Sequence, residues 1–350
     1  MTTTRVVCNI AGEGVPLRAE GLTELIGNIR LELRSEGPKF IPQAFNATVI
    51  LNTNITNRIF ANRTADAVAK IRNGAVEKSI RGQIEAPNTI VFRSITMTEP
   101  TTTCEVSGIR VNAAMLGMSS KLTPTLVVAY ITLDSPGIAV IQEPQVDVGR
   151  VMPSFSFSVA DTIPLSKHIS PLLARPVLFL SFREAQRNAF RSRKQEAEGA
   201  TDVSMINASG LMATFSSLPP DVELFISRTD VSGTEPKAIY VSDITQAGDP
   251  GNTKNTPGRL DFVRVEGGRA IWEWIASDSS DEYQEAIFAV SAVNKFESAR
   301  EDKVLIGGSF APVSTVNTPS ENAPIPRFAF LGPAKEMLLK SIPASQTLSR

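Results

Sequence analysis

Apolar and polar residues alternate with a period of two along much of this chain. Ile29-Arg30-Leu31-Glu32-Leu33-Arg34 sets three aliphatic side chains against three charged ones, the signature of a strand with one wet face. Ser154-Phe155-Ser156-Phe157-Ser158-Val159 does the same with aromatic and β-branched residues inside, and Phe45 to Leu51 is rich in strand formers. Arg264-Val265-Glu266-Gly267-Gly268-Arg269-Ala270-Ile271-Trp272 reads as a hairpin, because a Gly-Gly pair accepts the positive φ of a two-residue primed turn. Trp272 and Trp274 then share a face as core anchors, and Pro219-Pro220-Asp221 turns the chain into a strand from Val222 to Ile226. Strand signals recur at intervals of about ten residues, the spacing of sandwiches and barrels.

Helical patterning is scarce. One helix is expected near 183–198, with Ala185, Ala189 and Phe190 on its apolar stripe and Gly199 as its cap. A short second one is expected from Ala334 to Lys340 behind Pro333. Gln246 to Gly258 lacks apolar periodicity and reads as a loop, while Ser314 to Pro326 carries three prolines and reads as an extended connector. With a softer boundary at Leu116–Thr125, the reading is mainly β: two or three β-sandwich-like (Ig-like) modules with one or two short helices. The expected division is 1–118, 119–232, 233–328 and a tail at 329–350.

Composition narrows the partners. Hydrophobic residues at 42% suffice for real cores, and 35 Lys+Arg against 36 Asp+Glu leave a net charge of −1. That balance gives no electrostatic reason to expect nucleic acid or an anionic membrane, and it removes one brake on self-association. No run approaches the ~20 apolar residues of a membrane span. The opening Met1-Thr2-Thr3-Thr4-Arg5 has no signal-like apolar core, which leaves a cytoplasmic chain and one starting after a removed signal both open.

Chemistry has few carriers. Cys8 and Cys104 with a single histidine cannot assemble a standard Cys/His zinc site. Both sit beside strand-like segments at opposite ends of one expected domain, so a disulfide between them is expected, with two buried free thiols as the alternative. His168 is the only histidine, and no Gly-x-Ser-x-Gly elbow, P-loop or dinucleotide fingerprint accompanies it. Gly248-Asp249-Pro250-Gly251-Asn252 and Asp278-Ser279-Ser280-Asp281-Glu282 offer oxygen ligands, yet read better as turns and a solvated loop. Arg187, Arg191, Arg193 and Lys194, interleaved with Glu184, Glu196 and Glu198, read as a solvated helix face. Asn46, Asn54, Asn62 and Asn207 each open an N-x-Ser/Thr triplet. No catalytic residue, metal ligand or cofactor is assigned.

Several segments resemble a set of uncharacterised, secreted, β-rich proteins of acidobacterial type. Gly14 to Ile29 looks like their opening module, Val49 to Arg58 like the strand and turn that follow, and Ile109 to Ala113 like the strand that closes it. Leu180 to Glu184 with Ala189-Phe190, Leu218 to Ser227 and Ala270 to Glu273 resemble later elements. Ser309 to Pro312 and Ile325-Pro326-Arg327-Phe328 resemble the closing segment. The resemblance implies a sandwich-rich exported protein and no particular activity.

The combined expectation is an extracellular structural or interaction protein, a homo-oligomer or homopolymer such as a filament or surface-layer subunit. Thr2 to Ile10 and Phe328 to Ile342 are the segments expected to complete neighbouring sheets. The alternative is a surface adhesin or carbohydrate-binding module that contacts a glycan or protein. An enzyme is the least expected class.

Overall fold

The computed structural model of the chain describes residues 5–37, 39–118, 123–134, 138–160, 178–198, 206–233, 235–244, 261–276, 282–296, 298–330 and 335–343. Strand accounts for 62% of it and helix for 4%, in several sheets with a sandwich-like arrangement. The mainly-β reading therefore holds. Among the described residues, no helix is long and apolar enough to cross a membrane.

The chain divides into two compact units: Met1–Pro153 with Ala197–Met205 and Ser314–Ala329, and Ser154–Glu196 with Ile206–Val313 and Phe330–Arg350. This differs from the consecutive domains that the sequence suggests. Strand pairing crosses the expected boundaries at 118 and 232, so cuts there would split sheets.

Unit 1 contains β1 (Arg5–Gly12), β2 (Val15–Arg18), β3 (Glu24–Leu25), β4 (Ile29–Glu36), β5 (Gln43–Leu51), β6 (Thr64–Asn73) and β7 (Val76–Ala86). It continues with β8 (Thr89–Met97), β9 (Thr101–Ser107), β10 (Arg110–Val111), β11 (Thr125–Asp134), β12 (Ile138–Gln142) and β13 (Gln145–Met152). Among the described residues one sheet runs β12-β1-β4-β9-β6-β7-β8-β5-β11-β13-β2. The first strand turns a corner: β1 pairs parallel with β12, and β2 pairs parallel with β13. Gly12 stands at that corner, where an added Cβ would lie 2.6 Å from the Asp147 carbonyl oxygen, so only glycine permits the approach. The sheet thereby brings its two ends together around one core that includes Leu31, Leu33, Val49, Ile71 and Ile131.

The cysteine expectation is corrected here. Cys8 on β1 lies opposite Leu33 and Cys104 on β9 lies opposite Leu31, with β4 between them. Two strand spacings amount to about 9–10 Å, beyond the ~7 Å Cα reach of a disulfide. Both are buried free thiols, and burial pushes each up to about 12.

An ion pair and a second guanidinium are buried in the same unit. Arg18 and Glu24 have fully buried side chains, with Nε donating to Oε1 over 2.8 Å and the Arg18 backbone N–H donating to Oε2 over 3.2 Å. The Arg18 guanidinium also lies 4.8 Å from the ring centroid of buried Phe328. Arg327 donates to the carbonyls of Val316 and Thr318 over 2.8 and 2.7 Å, and to Thr56 over 3.3 Å. The expected 314–326 connector is thus docked into unit 1, where the resembling opening and closing segments meet: Gly21 bridges Phe328, and Thr23 Oγ1 accepts from the Arg327 N–H. Burial, with Arg110 adding repulsion, moves Arg327 down to about 10.

Unit 2 is a sandwich of two layers. One layer joins β14 (Phe155–Ala160), β15 (Leu178–Glu184), β17 (Val222–Ser227), β19 (Phe262–Arg264) and β21 (Glu285–Asn294). The other joins β16 (Gly210–Ser216), β18 (Ala238–Val241), β20 (Arg269–Trp274), β22 (Arg300–Ala311) and β23 (Lys335–Pro343). Among the described residues the two layers are joined into one ten-stranded sheet where β23 meets β21. Aromatic rings fill the space between them: Trp272 stacks on Phe288 at 3.9 Å, and Phe155 meets Phe310 edge-on at 4.8 Å. The Trp272 indole N–H donates to the Ser227 carbonyl over 3.0 Å, so its one polar atom is satisfied.

Several local expectations change. Gly267 and Gly268 do take positive φ, 58° and 67°, and Glu266 bridges Arg269 across them, but the ladder stops there, β19 pairing with β17 and β20 with β16 and β18. The expected helix at 183–198 shrinks to α1 (Arg193–Glu196). β15 runs on to Glu184, Asn188 takes φ 57°, and Phe190 leaves any helical face to pack on Trp274. The expected helix at 334–340 is β23, because the edge of β22 is there to be paired.

Two outcomes are expected. Glu24→Ala strands a buried guanidinium and should lower unfolding free energy by about 3–5 kcal/mol in urea melts of the full chain. A reductant should leave the melting temperature unchanged, and a thiol reagent should label Cys8 and Cys104 only after denaturant is added.

Candidate functional site

The sequence candidates scatter. His168, the Gly248–Asn252 loop and Asp278, Ser279, Ser280 and Asp281 lie outside the described residues, and Glu282 is exposed. Among the described residues, no group of three or more His, Cys, Asp or Glu stands where it could hold a metal ion. Trp272 and Trp274 are buried core residues. Asn207, Ala208 and Ser209 are all buried, which closes that triplet to modification in the folded chain.

The solvated-face reading of the basic cluster is also corrected. Glu184 and Glu196 are buried. Glu184 accepts the backbone N–H groups of Phe190 and Gln284, and burial outweighs these bonds, raising its pKa. Arg193 reaches across unit 2 with its forked donors: Nε to Glu273 Oε1 at 2.7 Å, Nη2 to Glu273 Oε2 at 3.1 Å, and Nη2 to the Ile244 carbonyl at 3.0 Å. Its Nη1 donates to Asn207 Oδ1 at 3.1 Å. A planar five-donor fork matches this set of acceptors, which a lysine ammonium could not.

That clamp shapes a groove of about 700 Å³ in unit 2. Its floor is the outer face of the second layer. Met212 and Thr214 on β16 lie opposite Ile271 and Arg269 on β20, and alternation turns all four away from Trp272. At one end Ile244, Ala311 and Ile271 converge above Gly210, where a Cβ would meet them at 2.8–3.2 Å. At the other end lie Ser216, the Gly267-Gly268 turn and Arg269. Half-exposed Phe330 and Val313 form a wall. The floor follows from the β16 register, while the end wall depends on Arg193 fixing Ile244, a contact across 51 residues that no local pattern reveals.

A second surface is the outer edge of β23. β23 pairs with β22 over seven positions, Arg300↔Ser341 to Ile306↔Lys335. On its other side it meets β21 only at Ile342 and Pro343. Among the described residues, no strand lies along the other side of Lys335–Leu339. Glu336, Leu338 and Lys340 point outward, Leu338 at 58% exposure, and Leu339 and Ser341 point inward. Exposed pairs Lys303–Glu336 at 2.9 Å and Lys340–Glu301 at 3.2 Å lie on the same face.

No protein-family model matches the chain, and no curated protein matches it. Among solved structures, a red sea bream transglutaminase aligns at 10% identity over 98% of this chain with a TM-score of 0.23. The chain spans only 31% of that protein's length. The CupB6 tip adhesin from Pseudomonas aeruginosa aligns at 10% identity over 94% of this chain and 100% of its own, with a TM-score of 0.21. The yeast delta-COP-I mu-homology domain gives 7% identity, 86% and 82% coverage and a TM-score of 0.16. TM-scores this low do not mark a common fold.

Arg193→Ala leaves the buried Glu273 carboxylate without its guanidinium. The expected loss in a denaturant titration is about 3 kcal/mol, the low end for a buried pair, because 27% of the Arg193 side chain already meets water. Arg193→Lys should recover only part of that loss.

Proposed function

We propose that this chain is an extracellular structural protein that associates with copies of itself along β23, and that it catalyses no reaction. The observation that carries this reading is the self-complementary edge of β23 at Lys335–Leu339, which no strand among the described residues covers. If two copies pair antiparallel about Leu338, Glu336 of each lies opposite Lys340 of the other, since both positions are two residues from the centre. The contact is then isologous and closes as a two-fold dimer. It extends the alternation already present within one copy, where Lys303 meets Glu336 and Lys340 meets Glu301. An unpaired row of N–H and C=O groups is a template for such pairing.

This sharpens the expectation that terminal segments complete neighbouring sheets. Arg5 to Ile10 lie in β1, paired by β4 and β12 on its two sides, so lending them out would break two sets of ladder bonds. Residues 2–4 lie outside the described residues. β23 needs no exchange, because it can add a strand while staying paired with β22. Placement outside the cell is supported by the likeness to exported β-rich proteins, and the net charge of −1 leaves self-association without electrostatic opposition.

Sedimentation velocity of the intact chain across a concentration series tests the reading. The wild type should form dimers that Glu336→Lys weakens about tenfold or more, since each of two cross-strand pairs, worth roughly 0.2–1 kcal/mol, turns repulsive. Lys340→Glu should do the same, and the double swap should restore association. A monomeric wild type at high concentration, or a double variant no better than the single ones, would contradict the proposal.

A further inference from the structure

We infer that the groove on the outer face of β16 and β20 is a binding site for a medium-chain aliphatic carboxylate, with its tail toward Ile244 and its head at Arg269. The inference stands on β16 and β20 and is independent of association along β23. A volume of about 700 Å³ falls within the roughly 300–1,000 Å³ of small-molecule pockets. From Gly210 to Ser216 the floor extends about 20 Å at the strand rise of ~3.3 Å per residue, long enough for an extended chain to lie along β16.

Polarity changes in one direction along that length. The closed end is aliphatic, formed by Ile244, Ala311, Ile271 and Met212. The open end has the hydroxyls of Thr214 and Ser216 and the guanidinium of Arg269. Among the described residues no acidic side chain lines the groove and Arg269 makes no ion pair. A single cation at the mouth of an apolar trough is complementary to one anionic group on an apolar chain. A guanidinium accommodates a carboxylate in bidentate fashion, which adds direction to the charge. A neutral or cationic head on the same tail would gain only the apolar contact.

The closed end is also rigid. The Ile244 backbone is anchored there, because its carbonyl accepts from Arg193, which is itself fixed by Glu273. Depth of the trough is therefore set before a ligand arrives, which lowers the ordering cost of binding.

Isothermal titration of the full chain with dodecanoate, dodecanol and dodecyltrimethylammonium, each below its aggregation concentration, tests this. Dodecanoate should bind with one-to-one stoichiometry, and Arg269→Gln should weaken it about tenfold while leaving dodecanol binding unchanged. Thr214→Trp, which fills the floor from an outward-facing position, should abolish binding of both. Arg269 is exposed, so Arg269→Gln keeps the fold testable even if the tryptophan variant does not fold. Absence of saturable dodecanoate binding overturns the inference, as does equal affinity of Arg269→Gln for dodecanoate. Binding that a folded Thr214→Trp leaves intact would put the ligand elsewhere and also overturn it.

Discussion

Every strand presents two rows of backbone hydrogen-bonding groups, and a chain built from strands must find a partner for each row or leave it to water. Unit 1 meets this constraint by turning its first strand at Gly12 so that β1 joins one end of the sheet and β2 the other. Unit 2 meets it less completely. β23 completes β22 and then touches β21 over only two residues, so among the described residues no strand covers the other row at Lys335–Leu339. The proposed self-association follows from that remaining row, and its direction follows from the charges that flank it.

Buried guanidinium groups are the second theme. Arg18 holds Glu24 six residues on and Arg327 holds Thr318 nine residues back, while Arg327 also reaches Thr56 and the partly buried Arg193 reaches Glu273 and Ile244, all far away in sequence. Desolvating such a charge is costly, and an apolar replacement of the same shape would often stabilise a protein as well or better. What the arginines supply is geometry: a planar fork fixes a loop that has no ladder of its own. In unit 2 this fixes Ile244, and through it the closed end of the groove. Charged side chains that look solvent-facing in sequence thus form part of the architecture.

The contrast between legible and illegible features has a physical basis. Ile29 to Arg34 and Phe155 to Val159 declared their strands because burial on one face imposes a period of two. The Gly267-Gly268 turn was also legible, because positive φ at two successive residues nearly demands glycine. The segment from Ala334 to Lys340 reads as a helix because Lys-Glu-Met-Leu-Leu-Lys has good helix propensity, and only the waiting edge of β22 makes Lys335–Pro343 a strand. The 183–198 segment failed for a related reason: Phe190 gains more from Trp274 than from a helical stripe. The disulfide was proposed from opposite ends of one expected domain, and a single intervening strand, invisible in the spacing, excludes it. The groove was beyond reach because its floor, end and wall come from β16, β20, Ile244 and Phe330.

Among the described residues these features comprise closed cores, clamped straps, an open edge along β23 and an apolar trough with a cationic mouth. The central claim is that the outer edge of β23 is occupied by a second copy. Backbone hydrogen exchange of residues 335–343, followed as protein concentration is raised, addresses it most directly. The account predicts that outward-facing amides in this strand become protected with concentration, while those paired to β22 are protected throughout. Exchange in β23 that is independent of concentration would contradict it.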